Sequence, residues 1–135
     1  LTTTQAKIVD YWLEKAGFNV ASDSSTWGNY SNVDKEINGL ASSDFGKNYK
    51  ETSGKFGGNI INATGTIEKN KSNNIYDWAG NLWEYTDTPY EQTEYFISHG
   101  GYYGTSGNIS PASFTNSFTG EASSKVGFRI CLNML

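Results

Sequence analysis

The sequence predicts an α+β domain with one main helix, short antiparallel strands and long loops. Three observations carry this. Helical spacing of apolar residues occurs once, near the N-terminus. Three short stretches in the C-terminal half read as strands. Gly, Ser, Asn and Thr, residues of turns and loops, supply 57 of the 135 positions between and around them. The helix is expected over residues 4–16. Ile8, Val9, Trp12, Leu13 and Ala16 fall on one face and are expected to pack into the core, with Thr3 or Thr4 as the N-cap and Gly17 at the left-handed C-terminal position. The first strand is expected at Asn81–Thr86, where alternation sets Trp83 and Tyr85 opposite Leu82, Glu84 and Thr86. The second is Tyr95–His99, stopped by Gly100-Gly101. The third is Lys125–Leu132, with Val126, Phe128, Ile130 and Leu132 on one face. Residues 18–74 carry little pattern. They offer a loop with two aromatic anchors, Trp27 and Tyr30, isolated aromatics at Phe45, Tyr49 and Phe56, and a short strand or turn near 59–65.

Length and composition bound the rest. A chain of 135 residues makes one domain with one modest core. We expect residues 1–135 to be that single domain, the C-terminal part of a longer chain. With 36% hydrophobic residues the core must lean on its 4 Trp, 9 Tyr and 7 Phe, each of which buries a large area. The net charge of −4 comes with no basic run, which argues against a nucleic-acid partner. No apolar stretch approaches the roughly 20 residues needed to span a bilayer, so membrane insertion is not expected. The lone Cys131 forms no internal disulfide and builds no cysteine metal site; it reads as a small buried hydrophobe.

The segment from His99 to Gly120 contains 22 residues and no Asp, Glu, Lys or Arg. Tyr offers large contact area with few torsions to freeze, while Ser, Asn, Thr and Gly offer adaptable hydrogen bonds. An uncharged face also avoids desolvating ions when a partner docks. Tyr102, Tyr103, Thr105, Ser106, Asn108, Ser110, Ser113, Thr115, Asn116 and Phe118 are therefore the candidate ligand-binding residues, held by a scaffold of Trp12, Trp78, Trp83 and Phe128. The same segment also reads as a polar connection between two strands, with Phe114 and Phe118 turned into the core.

Three motifs in order carry a resemblance. Residues 75–85, Ile-Tyr-Asp-Trp-Ala-Gly-Asn-Leu-Trp-Glu-Tyr, resemble a D-x-x-G-N-V-W-E-W motif. His99-Gly100-Gly101-Tyr102-Tyr103 is similar to R-G-G-S-W. Val126-Gly127-Phe128-Arg129-Ile130 is similar to L-G-F-R-V. All three belong to the formylglycine-generating-enzyme branch of the C-type-lectin-like fold. The match is strong over residues 74–133 and weak over 4–31. In physical terms Gly80 allows a tight turn, Gly100-Gly101 a close backbone approach, and Gly127 room beside packed aromatics, while Arg129 can reach Glu84.

The departures from the family shape the functional expectation. The enzymes of this family use a cysteine pair after R-G-G-S, and iron-dependent relatives use several histidines. This chain has neither, and His99 stands where the family has Arg. The resemblance therefore implies a chain that is not an enzyme and needs no catalytic cofactor. It also implies an optional structural calcium ion at the G-N-x-W-E turn, through Asn81 and Glu84. The fold is shared with retroelement-diversified phage receptor-binding proteins, whose variable residues lie between the second and third motifs. Residues 99–120 lack Lys, Glu, Gln, Trp and Met, the residues that adenine-directed mutagenesis of Asn codons does not yield. The expected function is a receptor-recognition or adhesion module on a phage tail, a capsid or a bacterial surface. Its partner would be a host-surface protein or glycan, met as a homo-oligomer or on a larger virion or surface protein. The alternatives are a structural tail or capsid component and, further off, an oxidase-related enzyme.

Overall fold

The computed structural model describes residues 1–43, 47–89, 91, 95–119 and 121–130, with the side chains of 116–118 also outside the description. Cys131, Leu132 and Phe45 lie outside the described residues, so their expected places are not addressed. Helix α1 (Thr3–Lys15) begins one residue earlier than the pattern indicates. Thr2 is the N-cap, and its hydroxyl accepts from the Gln5 amide while the Gln5 side chain accepts from the Thr2 amide. This reciprocal box satisfies two free N–H groups and stabilises the start by about 1 kcal/mol. Gly17 ends the helix at φ +94.

The face of α1 that enters the core is not the one its apolar spacing picks out. Ala6, Asp10 and Leu13 are buried, whereas Ile8 is 62% and Trp12 44% exposed. Asp10 turns the helix this way. Its carboxylate accepts from Trp78 Nε1 at 2.8 Å and lies 3.1–3.2 Å from His99 Nε2, so a charged residue occupies the centre of the buried stripe. Trp12 is thus a surface residue and not part of the scaffold.

After α1 the chain forms a three-stranded antiparallel sheet ordered β2-β1-β3, from β1 (Lys35–Ser42), β2 (Lys50–Phe56) and β3 (Ile61–Asn62). Its small core is Ile37, Ala41, Ile60 and Ile67, with Phe56 packed on it. The long β1–β2 pairing falls inside the stretch that the sequence leaves as loops. A two-stranded ribbon, β4 (Lys71–Ser72) with β5 (Ile75–Tyr76), leads into the motif-bearing half.

That half is a four-stranded sheet ordered β8-β7-β6-β9, built from β6 (Trp83–Pro89), β7 (Phe96–His99), β8 (Phe114–Phe118) and β9 (Val126–Phe128). The β6–β7 and β7–β8 pairs are antiparallel. The β6–β9 pair is parallel, a departure from the expected short antiparallel strands. On β6, Trp83, Glu84 and Thr86 are all buried, because the strand is central and covered on both faces. The apolar face expected on the last strand is not internal: Phe128 is 78% and Ile130 75% exposed. Phe128 therefore does not hold the scaffold. The main core consists of Ala6, Leu13, Val20, Trp27, Tyr30, Val33, Trp78 and Ala79. It joins the helix to the loops at 20–33 and to the 78–79 turn.

Candidate functional site

Two loops that are far apart in sequence meet at one end of this core. The first, Ser24–Tyr30, is a compact turn closed by Trp27 N to Ser24 O (3.0 Å) and Gly28 N to Ser24 O (2.9 Å). The Ser24 hydroxyl donates to the Tyr30 hydroxyl at 2.8 Å, and burial pushes the Tyr30 phenol up to about 12. The second follows β7. Gly100 and Gly101 take φ +98 and +80, letting the chain reverse beside Tyr30, which a Cβ on Gly101 would approach at 3.2 Å. Tyr103 N then donates to Asn81 O at 2.9 Å, and Thr105 N to Tyr102 O at 2.9 Å. The loops are sewn together by Ser24 N to Gly107 O (3.0 Å), Ser31 N to Thr105 O (2.9 Å) and Gly107 N to Asn32 Oδ1 (2.7 Å). Rigidity here comes from backbone pairing between loops rather than from a strand ladder.

The residues singled out in the sequence fall into several environments. Tyr102 is half-buried with the Lys125 ammonium 5.5 Å from its ring centre. Thr105 is half-buried and donates from its hydroxyl to Tyr102 O at 2.8 Å. Ser106 is half-buried and Asn108 exposed. These four share the paired-loop surface with Ser25, Thr26 and Asn32. Tyr103 does not belong to that surface: it is fully buried, ring-to-ring with Tyr102 at 5.4 Å, and burial raises its phenol above the ordinary range. Ser110 holds a turn, donating to Val20 O at 2.6 Å, and Ser113 follows in the same turn. Thr115, Asn116 and Phe118 lie on β8, the sheet-edge strand, and the side chains of the last two are outside the description. The structure thus gathers Tyr102, Thr105, Ser106 and Asn108, leaves Ser110 and Ser113 in a turn of their own, and puts Thr115, Asn116 and Phe118 on a separate strand. Sequence reasoning missed Ser25, Thr26 and Asn32, which carry no local signal and reach the site only through tertiary pairing.

The turn before β6 is built around buried amides. Gly80 has φ +74, and a Cβ there would sit 2.2 Å from Asn29 O, so only glycine fits. Asn81 Oδ1 accepts from Asn29 Nδ2 (3.0 Å) and Asn62 N (3.2 Å), while Asn81 Nδ2 donates to Asn62 O (3.0 Å). Glu84 is buried and faces Arg129, whose Nε donates to Oε1 at 2.9 Å and Oε2 at 2.8 Å. The expected reach of Arg129 to Glu84 is therefore present. The expected calcium ligands do not fit a cation: Asn81's oxygen is occupied by two N–H donors, and Glu84 is neutralised by a guanidinium. Calcium wants six to eight oxygens, and neither side chain offers a free one.

His99 is fully buried between Trp78 (ring centres 4.9 Å) and Phe114 (5.1 Å), with Nε2 on Asp10. It pins β7 to α1. Among the described residues no three His, Cys, Asp or Glu side chains are placed to hold a metal ion together. None of the described helices is long and apolar enough to cross a membrane.

Neither the curated proteins nor the solved structures gave a match to this chain. One family does match, and the matched stretch takes in the 77–84 turn, the Gly100-Gly101 reversal and the β9 end with Arg129. The match runs over residues 13–134, so the chain belongs to the sulfatase-modifying factor enzyme 1-like domain family, within the C-type-lectin-like fold.

Proposed function

We propose that this chain is a non-catalytic ligand-binding module, working in receptor recognition or adhesion on a phage particle or bacterial surface. The family contains both enzymes and non-catalytic members. The observation that carries the reading is the interlocked pair of loops. Three hydrogen bonds of 2.7–3.0 Å join them. The face they support bears Tyr102, Thr105, Ser106 and Asn108 beside Ser25, Thr26 and Asn32, all uncharged. Such a surface keeps its shape before a partner arrives, which lowers the ordering cost of binding, and it displays hydroxyls, amides and one aromatic ring. A host-surface protein or glycan is the class of partner this chemistry suits. Histidine, the residue type most used in acid–base chemistry at neutral pH, occurs once, and it is sealed between two aromatic rings.

The test uses the fluorescently labelled chain on intact bacterial cells and on a glycan array. Wild type should bind a restricted set of cells or glycans. Tyr102→Ala and Asn108→Ala should each lower that binding by tenfold or more, a loss of about 1.4 kcal/mol, with the melting temperature within a few degrees of wild type. Binding that survives both substitutions would refute this placement of the site.

A further inference from the structure

The 77–84 turn and the end of β9 enclose a cavity of about 70 Å³, lined by Thr64, Asp77, Asn81, Glu84 and Arg129 among others. Two of these are buried carboxylates, Asp77 at 5% and Glu84 at 8% exposure. Asp77 Oδ1 accepts from Asn70 Nδ2 at 3.2 Å, while its Oδ2 has no hydrogen-bond partner among the described residues. Two buried carboxylates around a small polar cavity would ordinarily require a cation.

The cation on hand belongs to the chain. Arg129 grips both oxygens of Glu84 through Nε, contacts Glu84 again through Nη2, and donates from Nη2 to Tyr76 O at 3.1 Å. Its guanidinium lies 5.4 Å from the Trp78 ring centre. A carboxylate fork, a carbonyl and an aromatic face suit a planar guanidinium and do not suit a spherical ion, which wants oxygens all round. Arg129 also draws electrostatically on Asp77.

We propose that the Arg129 guanidinium is the resident cation of the 77–84 turn, and that the turn takes a divalent ion only when this side chain is removed. The scaffold under the paired loops is then independent of metal. The positive charge is delivered from the residue just past β9, so pairing β9 with β6 and completing the turn become one event. This placement does not depend on what the loops bind.

Thermal melts of the 135-residue chain in EDTA and in millimolar CaCl2, with calorimetric titration of calcium, test this. Wild type should melt at the same temperature in both and show no calcium heat. Arg129→Lys, which keeps a cation, should stay indifferent to calcium. Arg129→Met should melt lower in EDTA, recover in CaCl2 and bind one calcium ion. Adding Asp77→Asn to Arg129→Met should abolish that recovery. A wild-type melting temperature that rises with calcium overturns the proposal. So does an Arg129→Met chain whose stability, or failure to fold, is the same in CaCl2 as in EDTA.

Discussion

Replacing Asp77 by Asn should make the domain more stable at neutral pH. Asp77 is buried at 5% exposure. Burial raises its carboxyl to about 6 from 3.8, against the opposing pull of Asn70, Asn62 and Arg129. The folded state therefore holds the proton more tightly than the unfolded state between about pH 4 and 6. By linkage, stability falls as pH rises through that window, and the loss is complete above the folded value. A shift of about two units corresponds to about 3 kcal/mol at pH 7, with about 1.4 kcal/mol per unit. Asn has nearly the shape of the neutral acid, can keep the Oδ1 contact to Asn70, and tolerates the φ of +55 at this position. The variant should gain up to about 3 kcal/mol at pH 7, raising Tm by about 10 °C for a domain of this size. Below about pH 4 the gain should vanish. Urea unfolding across pH 3.5–7.5, read by tryptophan fluorescence, measures both. A variant no more stable than wild type at pH 7, or a gain that persists unchanged at the acid end, would refute the reasoning.

Other substitutions separate scaffold from surface. Asp10→Ala leaves His99 and Trp78 without their shared acceptor and should cost about 3–5 kcal/mol in denaturant unfolding. Tyr103→Ala removes a fully buried ring and should cost about 3–5 kcal/mol by the same assay, in contrast to the half-buried Tyr102. Lys35 is buried with its ammonium on Tyr30 O and Gly58 O at 2.9 and 3.0 Å, and burial lowers its pKa to about 8. Since the unfolded chain holds that proton up to 10.5, wild-type stability should rise between pH 8 and 10.5. Lys35→Met should flatten that slope.

Much of the motif-bearing half is legible in the sequence. Trp83–Thr86 and Phe96–His99 are strands where the sequence places them, the glycines at 80, 100 and 101 mark positions of positive φ, and Arg129 meets Glu84. The first half is not. The β1–β2 pairing has only Ile37 and Ala41 as buried apolar positions, with Asn38, Gly39 and an exposed Leu40 between them, because one side is open to solvent. The helix is legible but its orientation is not. Periodicity weighs apolar residues, and the residue that fixes the buried face is Asp10, whose partners Trp78 and His99 lie 68 and 89 residues away. The site is half legible for the same reason. Composition marks 99–120, yet Tyr103 points inward, and Ser25, Thr26 and Asn32 join only through folding.

Amide hydrogen exchange by NMR tests the paired-loop surface most directly, because the account requires those loops to be rigid without a ligand. The amides of Ser24, Ser31 and Gly107, each bonded across the loop pair, should exchange as slowly as those in the β6–β7 ladder. Exchange of all three near the rate of an unstructured chain would contradict it.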